Sequence, residues 1–227
     1  MSLGSAITLA LVAIAPLVVL TMTSFVKLSV VLSLLRNAIG APDAPSGLVI
    51  TGLALVLTFF VMAPVAVDMV HAAAEAPAPS APGPAPAPDG SVEGALRTLV
   101  PAEYAPQLAA AERATLPLRA FLLNHASPKD RDTFTGLARR FGRTIKGDEL
   151  WVVAPAFVAS ELREAFAIAV LIFVPFLVID LVVALALAAL GLASTNPQAV
   201  ALPLKLLLFV AVDGWRLLLD ALLRGYA

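Results

Sequence analysis

Five charged side chains interrupt two long apolar segments of the sequence, and their types and positions indicate ion-pair chemistry. The segment LPLKLLLFVAVDGWRLLLDALL, residues 202–223, would form one helix of about 33 Å, which is enough to cross a bilayer core. A charge at bilayer depth costs about 3 kcal/mol, so such side chains need partners in protein or water. The five residues are Asp180 in the earlier segment and Lys205, Asp213, Arg216 and Asp220 in this one.

The four charges of segment 202–223 fall on one stripe if the helix is continuous. Relative to Lys205, Asp213 lies about 80° around the helix axis, Arg216 about 20° and Asp220 about 60°. Arg216 is also three or four residues from both aspartates, a spacing at which side chains meet. The stripe predicts that this helix faces protein or a water-filled path rather than lipid.

Asp180 is a candidate partner for Lys205, but the helix offsets argue against that pair within one hairpin. If one helix ends at Gly191 and the next begins near Leu202, Asp180 lies about 16 Å from the turn and Lys205 only about 5 Å. Arg216 or Asp213 would be level with Asp180 in the same chain, and Lys205 would suit a neighbouring chain. A set of charges that merely ties the hairpin together remains the alternative.

Other chemistry finds little support in the sequence. There is no cysteine, and His71 and His125 are far apart without ligand-type spacing, so we predict no metal site and no cofactor. Ser160 resembles a helix cap more than a nucleophile. The net charge of −1 gives no basic footprint for nucleic acid. We therefore expect a protein that is not an enzyme and does not bind nucleic acid.

The composition predicts an all-α protein whose helices are membrane-associated. Hydrophobic residues make up 60% of the 227, and the mean hydropathy is +0.93. Residues 48–67 are the best simple candidate for a membrane span. We divide the chain into four parts: an apolar helical hairpin over 1–70, a Pro/Ala-rich linker over 71–90, a polar and mostly helical region over 91–155, and a second apolar hairpin over 156–227.

Several long motifs resemble one family, in the order in which that family has them. They are MTSFVKLSVVLSLLRNAIG (22–40), GLALVLTFFVMAPV (52–65), PLRAFLL (117–123), PAFVASELREAFAIAVLIFVPFLVIDLVV (155–183) and LPLKLLLFVAVDGWRLLL (202–219). Together they resemble the FliP/SctR (YscR) family, core components of the type III secretion export apparatus. Only about residues 71–110 lack a clear counterpart.

The resemblance implies a non-enzymatic subunit that assembles into a helical export gate for unfolded proteins. Family members form a homo-pentamer with SctS (FliQ)-like and SctT (FliR)-like subunits, beside SctU (FlhB)-like and SctV (FlhA)-like components. The expected location is the bacterial inner membrane, multi-pass by sequence, with the assembled complex protruding toward the periplasm and residues 91–155 facing that side. The resemblance also implies that Asp180 and Lys205 form an ion pair between subunits.

The sequence departs from the family at one candidate site, the loop after Gly191. Family members commonly carry a methionine-rich loop there that seals the pore, whereas this chain has Leu192, Ala193 and Ser194. These three residues are the candidate pore constriction, with a plain loop as the alternative. The methionine-poor loop and the apparent lack of a cleavable signal favour the injectisome, or virulence, branch over the flagellar one.

A small ion-coupled membrane transporter is the alternative function. Such a protein would also place Asp180, Lys205 and Asp213 among apolar helices. It should show inverted repeats with broken helices at matching positions, and we find none in the sequence.

Overall fold

The computed structural model describes residues 20–41, 45–74, 105–142, 147–192 and 194–226. All regular secondary structure in these residues is helical, which confirms the all-α prediction. The helices are α1 (Phe25–Ile39), α2 (Gly47–Ala74), α3 (Ala105–His125), α4 (Pro128–Arg140), α5 (Leu150–Ala189), α6 (Pro197–Ala211) and α7 (Gly214–Leu223), followed by a 3₁₀ turn (Arg224–Tyr226).

The described residues form two compact units. One contains the residues up to Val61 together with those from Ser160 onward, and the other contains the residues between them. The boundaries therefore fall inside α2 and α5. The predicted Pro/Ala linker lies almost entirely outside the described residues, and the four-part division of the chain stays a prediction.

Helix α1 lies at the centre of the first unit. Its residues Leu28, Val31, Leu32 and Leu35 are almost completely buried, and their spacing of three and four places them on one face. They belong to a core to which α5, α6 and α7 also contribute, through residues that include Ala165, Phe176, Phe209, Leu218 and Leu222. This apolar packing holds the buried charges described below in fixed positions.

The predicted single helix over 202–223 is wrong, because the chain breaks it at Val212 and Asp213. Asp213 adopts the left-handed conformation (φ +52°), which Asp tolerates better than most residues. A Cβ added at Gly214 would collide with the ring of Phe209 and lie 2.8 Å from its carbonyl oxygen. Only glycine allows this close approach, so the Asp-Gly pair separates α6 from α7.

Two described helices, α2 and α5, are long and apolar enough to cross a membrane, with 28 and 40 residues. The predicted span over 48–67 lies within α2. Both helices leave large side chains exposed, among them Phe59 and Phe60 on α2 and Leu171 and Leu177 on α5. Such apolar faces fit a membrane protein or a subunit whose faces are covered by other chains.

The second unit contains the last part of α2, α3, α4 and the first part of α5. Phe121 of α3 packs against Phe157 of α5, with 5.8 Å between the ring centroids. An ion pair of 2.9 Å joins Arg119 to Asp148 just before α5. These contacts give the unit a small core of its own.

Candidate functional site at the two ends of helix α1

Lys205 of α6 lies at the C-terminal end of α1 and forms the first of two buried charge clusters. Its Nζ is 2.7 Å from Oδ2 of Asp180 on α5 and donates a 3.1 Å hydrogen bond to the carbonyl oxygen of Ala38. The lysine is buried, whereas the side chain of Asp180 is 39% exposed. A cation at this position also suits the negative end of the α1 dipole. We call Lys205, Asp180 and Ala38 the Lys205 cluster.

The structure brings Asp180 and Lys205 together within one chain, so the argument from helix offsets is wrong. That argument started the helix near Leu202, but α6 starts at Pro197, with Asn196 as its cap. The five additional residues raise Lys205 to about 12 Å from the turn, close to the level of Asp180. The resemblance implies a pair between subunits instead, and a cross-link between positions 180 and 205 distinguishes the two arrangements.

The four charges of the predicted stripe do not share one environment. Asp213, Arg216 and Asp220 are all exposed, whereas Lys205 is buried on another helix. Asp220 forms its ion pair with Arg224 at 2.7 Å rather than with Arg216. The separation follows from the break at Asp213, because the angles calculated for a continuous helix do not hold beyond it.

Lys27 lies near the other end of α1, at the centre of a second cluster. Its side chain is 1% exposed, and its Nζ lies 3.3 Å from Oε1 of Glu161 and 2.9 Å from Oε2 of Glu164. The same ammonium lies 3.9 Å from the centroid of the Tyr226 ring, a cation–π geometry. The Tyr226 hydroxyl donates a hydrogen bond to Oε2 of Glu161. We call these four residues the Lys27 cluster.

The sequence analysis missed the Lys27 cluster because its members are far apart in sequence. The prediction that Ser160 caps a helix is wrong, because α5 begins at Leu150, and Ser160 and Glu161 are both buried inside it. Within a helix, Glu161 and Glu164 share a face. The sequence did contain one signal for this cluster. Lys27 is a single lysine in one apolar segment, and Glu161 and Glu164 are two carboxylates three residues apart in another.

The two clusters fix α1 near both of its ends. Lys27 and Ala38 are about 16 Å apart along the helix, with the apolar core between them. A buried charge that loses its partner costs about 3–5 kcal/mol where it stays buried and less where water can reach it, so both clusters constrain the position of α1. The two clusters therefore position α1 by electrostatic contacts. Among the described residues, no group of His, Cys, Asp and Glu could hold a metal ion.

The remaining predicted residues lie apart from these clusters. Leu192 and Ser194 are exposed after α5, and Ala193 lies outside the described residues. His71 is exposed in the last turn of α2. His125 is half-buried, with Nδ1 2.8 Å from the Phe121 carbonyl oxygen.

Comparison with known proteins identifies relatives over most of the chain. The chain is 40% identical over 216 residues to the pathogenicity-related ORF2 protein of Xanthomonas campestris pv. glycines, covering 93% of this chain and 90% of that protein. It is 36% identical over 220 residues to the hypersensitivity response secretion protein HrcR of Ralstonia nicotianae, covering 95% and 93%.

A flagellar relative is equally similar. The chain is 42% identical over 214 residues to the flagellar biosynthetic protein FliP of Pectobacterium carotovorum subsp. carotovorum, covering 93% of this chain and 73% of that protein. Residues 8–222 match the FliP family, a range that includes every member of the two clusters except Tyr226. The chain therefore belongs to the FliP family.

Proposed function

We propose that this chain is a structural, non-catalytic subunit of the gate of a type III secretion export apparatus. Its relatives are named for flagellar biosynthesis and for secretion in virulence, so a role in protein export is common to both groups. Five copies, together with SctS-like and SctT-like subunits, surround a path for unfolded proteins. SctU-like and SctV-like components act beside this gate.

The observation that carries the proposal is the contrast between satisfied charges and uncovered apolar faces. Lys27 and Lys205 find their partners within the chain, while α2 and α5 leave Phe59, Phe60 and Leu171 exposed. A chain with this surface needs lipid or other subunits to cover it. Assembly of several such chains around an axis would cover the faces of α2 and α5 and leave the cluster residues inside each chain.

The transporter alternative receives less support from the same contacts. Transport requires ionisable groups that face a path and exchange their partners. Lys205 instead contacts a backbone carbonyl and one carboxylate, and Asp213 is exposed at a helix break. These positions favour structural roles.

We place the chain in the virulence branch, in the bacterial inner membrane, with the complex extending toward the periplasm. Two relatives with names from pathogenicity and the hypersensitivity response align over nearly their whole length. The residues after Gly191 include no methionine, so Leu192 or a partner subunit supplies the seal.

Native mass spectrometry of the detergent-extracted complex, co-expressed with its SctS-like and SctT-like subunits, tests the proposal. We expect five copies of this chain with the smaller subunits bound. Leu171→Arg on the exposed face of α5 should lower the yield of that complex, because it places a charge on a face that assembly covers. The matched control is Leu137→Arg on α4, also exposed, which should leave assembly unchanged. A stable, folded monomer as the main species would contradict the proposal.

A further inference from the structure

The 3₁₀ turn Arg224–Tyr226 reaches the Lys27 cluster from the opposite part of the sequence. Leu218 and Leu222 of α7 are buried in the core beside α1, and they direct the turn toward Lys27. The backbone of the turn lies close to the Lys27 ammonium. A Cβ added at Gly225 would lie only 3.0 Å from the lysine Nζ. A larger residue at position 225 would therefore press on the ammonium.

Tyr226 satisfies two members of the cluster at once. Its ring lies against the Lys27 ammonium, and its hydroxyl donates to the Glu161 carboxylate. Burial raises the pKa of the Tyr226 hydroxyl, and the Glu161 carboxylate raises this pKa further, so the group remains a donor at neutral pH. The other oxygen of Glu161 accepts from Lys27, so the tyrosine closes the buried ion pair on its second side.

We propose that Tyr226 is a positioning residue that latches the N-terminal end of α1 to α5 by closing over the Lys27–Glu161 pair. When the latch opens, the pair gains access to water, and only this end of α1 loosens. The C-terminal end of α1 is held separately by Lys205 through the Ala38 carbonyl. The latch is a property of the single chain and goes beyond its role in export.

The absence of cysteine in the natural sequence makes the two ends of α1 separately observable. Ser24→Cys places a thiol at a fully buried position one turn before Lys27, and Ala38→Cys places one at a buried position in the last turn. Each single-cysteine variant, as the full chain in mild detergent, is treated with a maleimide reagent, and the rate of labelling is measured. Because a buried thiol reacts only when its surroundings open, the rate reports local opening.

Tyr226→Leu removes both the ring and the hydroxyl, and Tyr226→Phe removes the hydroxyl alone. With Tyr226→Leu we expect labelling at position 24 to accelerate by more than about tenfold, because a lost hydrogen bond to a charged group alone is on the scale of tenfold and the ring contact with Lys27 is lost as well. Tyr226→Phe should give a smaller but measurable rise. Labelling at position 38 should not change in either background. Arg224→Gln is the matched control, because the side chain of Arg224 pairs with Asp220 and should not affect either rate.

The latch is overturned if position 24 remains protected in both tyrosine variants. It is also overturned if positions 24 and 38 accelerate together, since that would show general unfolding rather than release of one end. If Tyr226→Leu does not fold, the labelling rates at positions 24 and 38 in Tyr226→Phe alone test the latch. The measurement is made on the isolated chain, so it can fail while the proposed export function stands, and the reverse is equally possible.

Discussion

Lys27 and Lys205, the two lysines that are buried among the described residues, have nearly equal burial but different partners. Lys27 is surrounded by two carboxylates and an aromatic ring, and one of those carboxylates, Glu161, is itself buried. Lys205 has a single carboxylate, Asp180, which reaches solvent, together with a backbone carbonyl. The cost of breaking a buried ion pair depends on the charge that is left behind. The Lys27 cluster should therefore tolerate substitution less well than the Lys205 cluster.

The largest expected effect is that of Lys27→Met. This change keeps much of the apolar stem but leaves Glu161 buried with no cation, and we expect a loss of about 3–5 kcal/mol in the free energy of unfolding. Thermal unfolding of the full chain in detergent, followed by circular dichroism, measures the loss. Adding Glu161→Gln to Lys27→Met should recover part of it, because the uncompensated charge is gone. A loss no greater than that of Lys205→Met would contradict the comparison.

Lys205→Met should cost less, about 2 kcal/mol, because Asp180 can be hydrated once its partner is removed. The same thermal unfolding measurement applies. The exchange of Asp180→Lys with Lys205→Asp should restore the ion pair but not the full stability, since an aspartate at position 205 cannot donate to the Ala38 carbonyl. Complete recovery by the exchanged pair would show that the Ala38 hydrogen bond contributes nothing.

Within the Lys27 cluster, the two carboxylates should differ. Glu164→Gln should cost less than about 1 kcal/mol, since the Glu164 side chain is half-exposed and its ion pair is screened by water. Glu161→Gln should cost more, because it leaves the buried ammonium with only its partner at the surface. The two unfolding curves, recorded side by side, check this order. Equal losses would indicate that burial does not govern the contribution of these pairs.

The sequence predicted the helical class, the apolar segments and the family, because each rests on local pattern or on long motifs. The start of α6 was also recoverable: the helix was expected to begin near Leu202, but Asn196 accepts from the backbone N–H of Gln198 and Pro197 occupies the first helical position. That one assignment decides whether Lys205 is level with Asp180.

The Lys27 cluster could not be predicted in the same way. Lys27 and Glu161 are 134 residues apart, and Tyr226 is a further 65 residues along. No local pattern specifies which apolar helices pack together, and the pairing follows from the core around α1. The break at Asp213 depends on a shorter-range feature, the close approach of Phe209 to Gly214 five residues later, which the Asp-Gly dipeptide alone does not specify.

The central claim is that Asp180 and Lys205 come together within a single chain, and cross-linking between positions 180 and 205 tests it most directly. Asp180→Cys with Lys205→Cys, in the otherwise cysteine-free chain, is treated with a short bifunctional maleimide after tagged and untagged copies have been co-expressed. We predict a product that joins the two positions within one chain, seen as a linked pair of peptides in a species with the mass of one chain plus one linker. A main product of two joined chains would contradict the claim and would place the pair between subunits.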